Sequence, residues 1–194
     1  MINIGLCGAH RTGKTTLAIA LSKELETPFI QIGTSKIFSD HNLDAAKPMD
    51  FRTRIYIQRI ILDHAEKIWS GSGESFICYR TPIDMMAYTL AEVQGKTLGK
   101  ELEWELQEYL RDCREATEKC FSYLFVVPPA IPIIDEVGKA SPSRGYIEHI
   151  HRICVGLWSG MLTGCQIPKD TVDLNERVKY VTEYLWIVGE QQLE

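Results

Sequence analysis

What this chain lacks narrows the field before any motif is weighed. No apolar run approaches the ~20 residues that span a bilayer, so no membrane-crossing helix is expected and no membrane partner is called for. The six cysteines, Cys7, Cys78, Cys113, Cys120, Cys154 and Cys165, never fall at C-x-x-C spacing, which argues against a zinc site. They read as reduced thiols, with Cys7 and Cys78 acting as small hydrophobes inside apolar runs. There is no excess of positive charge. The formal net charge is -5, so the surface as a whole does not attract nucleic acid, although net charge leaves a local basic groove open. No basic-then-apolar leader is present, since Met1-Ile2-Asn3-Ile4 already begins a strand, and a cytoplasmic location is expected. Internal repeats, low-complexity tracts and linkers are also missing.

What is present fits one domain over residues 1–194, with an ordinary globular balance of apolar and charged residues. Short apolar runs alternate with helical periodicity. Strands are expected at 2–7, 28–32, 75–79, 121–127 and 165–167. Helices are expected at 15–25, 50–69, from Thr81-Pro82 to about Gly95, 102–120, 145–161 and 173–188. Thr81 is a plausible cap with Pro82 at the first helical position, and Asp173 followed by Glu176 has capping-box spacing. The stretch 33–48 is polar and reads as irregular. Pro128, Pro129 and Pro132 forbid a helix directly after the fourth strand, and about 130–145 reads as a mobile lid. Alternation of this kind implies an α/β three-layer sandwich: a roughly five-stranded parallel sheet with helices on both faces.

The most informative segment is Gly8-Ala9-His10-Arg11-Thr12-Gly13-Lys14-Thr15. It matches the phosphate-loop spacing G-x-x-x-x-G-K-T in full, between an expected strand and an expected helix. Its glycines let successive backbone N–H groups turn toward one phosphate, and the helix that starts at Thr15 adds its positive end. Lys14 is expected to reach the β- and γ-phosphates, the Thr15 hydroxyl to ligate Mg²⁺, and Thr16 to complete the cradle. The cofactors called for are therefore ATP and Mg²⁺, with GTP not separable from ATP by this segment. The identity of the reaction must come from elsewhere. A guanine-reading N-K-x-D segment is absent, which disfavours a small GTPase. A motor would need an apolar strand ending in Asp or Asp-Glu. Here the third strand ends Phe76-Ile77-Cys78-Tyr79-Arg80 and the fourth ends Val126-Val127-Pro128.

A kinase of a small substrate needs cations converging beside the γ-phosphate. Arg54 and Gln58 lie four apart on one helical face; a guanidinium suits a phosphate and an amide can read a base edge. Arg80 closes the third strand at the edge where a parallel sheet presents ligands. Thr34 follows the second strand and joins Arg54, Gln58 and Arg80 as a candidate acceptor-binding residue. Lys139 and Arg144 lie in the expected lid, and either is a candidate for stabilising charge on the transferring phosphoryl group. Arg52, Arg54, Arg59 and Lys47 cluster around the second long helix and are candidates for a basic track. Trp69, Trp104, Trp158 and Trp186 are expected as core or interface anchors. His149 and His151, two apart, do not share a helical face. The long helices leave a homodimer open.

These residues together resemble the nicotinamide-riboside-kinase-like P-loop proteins, a group that includes phage deoxynucleotide-kinase-like proteins and resembles phage 5-hydroxymethyluracil DNA kinases. The resemblance is carried by R-T-G-K-T-T, Arg54-x-x-x-Gln58, Arg80-Thr81-Pro82-Ile83-Asp84, Val126-Val127-Pro128-Pro129 and Leu174-Asn175-Glu176-Arg177-Val178. It implies transfer of the ATP γ-phosphate to a nucleotide-type acceptor: a deoxynucleoside monophosphate, a nucleoside, or a base within DNA, in the host cytoplasm if the chain is phage-encoded. One departure matters. The group usually carries Asp directly before R-T-P, and here Tyr79 stands there, whose unperturbed pKa of about 10 makes it no base at neutral pH. Asp84, one turn onward, is the expected substitute, with Asp135 and Glu136 of the lid as weaker candidates. Loss of that acid also keeps a non-catalytic, ATP-reporting switch in view.

Overall fold

A computed structural model of the chain describes residues 1–44, 47, 49–93, 95–133, 143–161 and 163–191. Twelve elements follow in order: β1 (Asn3–Cys7), α1 (Lys14–Glu24), β2 (Phe29–Ile30), α2 (Thr34–Asp40), α3 (Phe51–Gly71), β3 (Phe76–Cys78), α4 (Pro82–Val93), α5 (Lys100–Cys120), β4 (Tyr123–Val126), α6 (Arg144–Trp158), β5 (Gly164–Gln166) and α7 (Leu174–Gln191). The five strands form one sheet in the order β2-β3-β1-β4-β5, and every pairing is parallel. β1 is therefore central, and the loop that leaves its carboxyl end emerges between β3 and β4.

The period-2 alternation of the strands sorts the core into two layers. Phe76 and Cys78 of β3, and Leu124 and Val126 of β4, face a large cluster with α2 to α6. Ile4 and Leu6 of β1, Ile77 of β3, and Tyr123 and Phe125 of β4 face a smaller cluster built by α1 and α7. Leu17, Ala18 and Leu21 of α1 and Val181 of α7 are buried there. Both faces of the sheet are thus covered, which is why these strands read as continuous apolar runs. The expected α/β sandwich is the fold observed.

Local chemistry explains the helix starts. Asp50 caps α3 by accepting from the Thr53 N–H at 2.9 Å. Asp173 caps α7, accepting from the N–H groups of Asn175 at 2.8 Å and Glu176 at 3.2 Å. At α4 the direction is reversed: Asp84, the third residue of the helix, accepts from the backbone N–H and the hydroxyl of Thr81, both at 2.9 Å. This is the back half of a capping box.

Two expectations need correction. Residues 33–48 are not wholly irregular, because α2 forms over Thr34–Asp40 and buries Ile37 and Phe38 against the core; two apolar residues were too few to raise a helical pattern. β2 is only Phe29–Ile30. Of the four tryptophans, Trp69 is buried against Phe121, whereas Trp104 and Trp186 are 63% and 65% exposed. All six thiols are unpaired. Among the described residues no helix is long and apolar enough to cross a membrane. The lid candidates Asp135, Glu136 and Lys139 lie outside the described residues.

Candidate functional site

The loop from Gly8 to Thr15 connects β1 to α1. Gly8 has φ 139°, and a Cβ there would sit 2.6 Å from the Val127 carbonyl oxygen, so any larger residue would collide with the end of β4. Gly13 has φ 85° and supplies the left-handed entry to α1. Arg11, between them, also holds a positive φ of 59°, a strained conformation of the sort that gathers at ligand sites. The Thr12 hydroxyl donates to the Ala9 carbonyl at 3.0 Å, and the loop is closed on itself.

Lys14 folds back over the loop. Its Nζ donates to the carbonyls of Gly8 and Ala9, each at 2.6 Å, and lies 4.0 Å from Asp84 Oδ1. Asp84 is 4% exposed. Its Oδ1 accepts from the Gly8 N–H at 2.8 Å, while Oδ2 takes the two Thr81 donors. One carboxylate therefore fastens the start of the phosphate loop to the start of α4. Burial raises the Asp84 carboxyl; the Lys14 ammonium, and then the Thr81 and Gly8 donors, act against that. Burial likewise lowers Lys14, and Asp84 opposes it. The two groups stabilise each other's charge against the desolvation that both undergo.

Tyr88 lies one turn beyond Asp84 on the same face of α4. The His10 N–H donates to its Oη at 2.8 Å, and His10 Nδ1 lies 2.9 Å from the same oxygen. Burial and then Asp84 raise the phenol, so Tyr88 is a neutral O–H group. His10 is also in ring contact with Tyr146 of α6, at 5.9 Å between centroids.

Above the loop is a cavity of about 430 Å³. Residues 10–16 form its floor, Tyr79, Arg80, Asp84 and Tyr88 one wall, and Ile131 to Ile133 the other. The structure thus gathers His10, Arg11, Thr12, Gly13, Lys14, Thr15, Thr16, Arg80 and Asp84 around one space, while Gly8 and Ala9 lie buried beneath it. Thr34, Arg54, Gln58 and Arg144 do not line it. Thr34 begins α2, half-buried. Gln58 is 8% exposed within α3. Arg144 is exposed at the start of α6. Arg54 pairs with Glu92 of α4, Nε to Oε1 at 2.9 Å. The other three candidates for a basic track are paired too: Arg52 with Glu101 and Glu105, Arg59 with Asp112, and Lys47 with Asp44.

Tyr79 has a physical account. Strand parity sends its ring to the α1/α7 layer, where it stacks on Phe29 with centroids 5.7 Å apart. The next residue, Arg80, takes the opposite parity. Among the described residues neither strand beside β1 ends on an acid, since β3 runs into Tyr79-Arg80 and β4 into Val127-Pro128.

Two contributors had not been singled out from sequence. Tyr88 stands four residues after Asp84, and that spacing was the available signal. Arg177, on α7, donates through Nη1 to the Thr12 carbonyl at 2.9 Å. Its signal was a charge inside the apolar stripe Leu174, Val178, Val181.

The model of the ATPase family associated with various cellular activities (AAA) matches residues 4–153. The chain belongs to that family. No curated protein matches it by sequence. Among solved structures, deoxyadenosine kinase from M. mycoides, with dCMP and a flexible dCDP bound, superposes with a TM-score of 0.69 at 13% identity, over 96% of this chain and 100% of that one. The NadR protein in complex with NR gives 0.68 at 17% identity, over 94% of this chain but 51% of that one. The YorR protein from Bacillus subtilis, in complex with phosphorylated GDP, gives 0.59 at 16% identity, over 98% of each chain. At these identities the likeness is one of fold: this AAA-family member shares its chain path with these three proteins.

Proposed function

We propose that the protein transfers the γ-phosphate of ATP to a nucleotide-type acceptor, a deoxynucleoside monophosphate or a related nucleotide or nucleoside. The observation that carries this reading is the single cavity in which the phosphate loop faces Arg80, Asp84 and Tyr88. A site for hydrolysis alone needs a polarised water; this one has a second wall with a cation, a carboxylate and an aromatic ring. Lys14 would leave the carbonyls of Gly8 and Ala9 to meet the β- and γ-phosphates, and Arg80 would meet charge on the group in transit. Among the described residues Asp84 is the one carboxylate lining the cavity, which supports it as the acid that would face the acceptor hydroxyl. Both its oxygens already accept hydrogen bonds from Gly8 and Thr81, so taking a proton would cost one of these contacts. Phosphoryl transfer through a loose transition state is mainly positioning and charge stabilisation, and tolerates that.

Magnesium fits the donor set. Thr15 and Asp84 offer oxygen alone to the cavity, and among the described residues no group of His, Cys, Asp and Glu forms a cage of its own. That suits a hard cation held mostly by phosphates and water. Thr15 would hold it, and when bound the ion neutralises charge between the β- and γ-phosphates.

A free acceptor is favoured over a base within DNA because Lys47, Arg52, Arg54 and Arg59 are each matched by an acid, which removes the basic track a DNA strand would follow. The deciding experiment is ADP release against deoxynucleoside monophosphates, nucleosides, nicotinamide riboside, and DNA with and without 5-hydroxymethyluracil. Stimulation by free nucleotides or nucleosides is expected. Labelled phosphate entering DNA alone would replace this reading with a DNA-base kinase. Acceptor-independent ADP release would replace it with an ATPase. Tight ATP binding without any release would leave a non-catalytic switch.

A further inference from the structure

Arg177 is 2% exposed on α7 and joins two segments that meet at the phosphate loop. Its Nε donates to the Thr171 carbonyl at 2.7 Å, in the turn between β5 and α7, and its Nη1 to the Thr12 carbonyl. The same Nη1 lies 3.4 Å from where a Cβ on Gly13 would stand. Its Nη2 is buried and has no hydrogen-bond partner. Among the described residues no carboxylate comes within ion-pair distance of this guanidinium. Burial lowers its pKa, yet a guanidinium stays protonated in a protein. A buried cation ordinarily has an acid beside it, because desolvating an unmatched charge is costly.

The surroundings deepen the imbalance. Lys14 and the amino end of α1 place further positive charge on the same loop, and Asp84 is the acid that faces Lys14. We propose that Arg177 is a positioning residue for polyphosphate: a buried cation, unmatched by any acid among the described residues, whose charge is balanced by the bound anion and which orients the Thr12–Gly13 peptide toward it. Donation to the Thr12 carbonyl polarises that peptide, so the Gly13 N–H becomes a stronger donor to a phosphate oxygen. The unmatched charge acts through a low-dielectric interior, where it falls off less than across water. The proposal rests on Gly8–Thr15 being a triphosphate site and is independent of the acceptor.

The test measures binding and not turnover. Inorganic tripolyphosphate and ATP are titrated into the full chain by calorimetry for the parent, Arg177→Gln and Arg177→Lys, and thermal unfolding is recorded without ligand. Arg177→Gln is expected to unfold within a few degrees of the parent, because it removes an unmatched buried charge along with two hydrogen bonds. It is expected to bind both anions roughly tenfold more weakly, with a shallower salt dependence. Arg177→Lys keeps the charge and is expected to retain most of the affinity. Unchanged anion affinity in Arg177→Gln, with or without lower stability, would reduce Arg177 to a tie between two loops. Equal losses in the Lys and Gln variants would place the effect in the fork's geometry and overturn the charge assignment. Failure of the parent to bind either anion would overturn the triphosphate reading itself, and it is recognisable because no substitution would then matter.

Discussion

The charges on the outer surface of α3 and α5 and those around the phosphate loop obey different rules. On the outer surface, Arg52 pairs with Glu101 and Glu105, Arg59 with Asp112, Arg111 with Glu108, and Lys119 with Glu66. These side chains stand in or near water, where screening and the cost of holding two long side chains leave a pair little net effect. Around the loop the charges are fewer. Lys14, Asp84 and Arg177 are almost withdrawn from solvent, and most of their bonds go to backbone carbonyls and amides. There the loss of one partner leaves another group buried and unsatisfied. Place in the fold, and not the number of ion pairs, decides what a charge does here.

That contrast yields a graded set of expectations. Lys14→Ala has the largest effect: ADP release falls by roughly 10³-fold, and ATP no longer raises the melting temperature. Asp84→Asn comes next. An amide oxygen can serve Gly8 or Thr81 but not both, so chemical denaturation is expected to show a loss of about 1–3 kcal/mol, together with slower turnover. A variant with parental stability and parental rate would remove Asp84 from both roles. A smaller effect belongs to His151, which is 2% exposed on α6 and whose pKa is lowered by burial. The folded imidazole resists a proton that the unfolded chain accepts below about pH 6.5. Its contribution is therefore full above that pH and is lost as pH falls, by at most about 1.4 kcal/mol per pH unit. His151→Gln should flatten stability between pH 5 and about 6.5, as followed by urea denaturation. The smallest effect is expected for Arg59→Gln on the outer surface, at most about 1 kcal/mol, with ADP release unchanged. An Arg59 variant that proved as damaging as Asp84→Asn would collapse the comparison.

Much of this was legible from sequence because it is periodic. The alternating strands predicted the sheet, and the capping residues Thr81 and Asp173 marked the helix starts where they occur. The phosphate loop was legible because its spacing, its glycines and its flanking elements agree. What periodicity does not carry is pairing across the chain. Arg54 has the helix spacing to Gln58 that the sequence shows, but its guanidinium is engaged by Glu92, thirty-eight positions later. Asp84 was legible as a first-turn acid, while its bond to Gly8 depends on β1 and β3 being neighbours in the sheet. Tyr79 looked like a lost acid until strand parity put its ring against Phe29. Arg177 was quoted within a motif, and only the tertiary fold brought it to Thr12.

Lys14 begins with its valences filled. Its ammonium is held at 2.6 Å by two carbonyls of the loop it belongs to. On the proposed function, binding a triphosphate would be an exchange, in which the ammonium passes from the Gly8 and Ala9 oxygens to phosphate oxygens and the carbonyls must find other donors. The heat released at Lys14 is then a difference between two sets of short bonds. A large share of the affinity should come from what the loop does not have to do, since its backbone is already wound into the shape the anion needs.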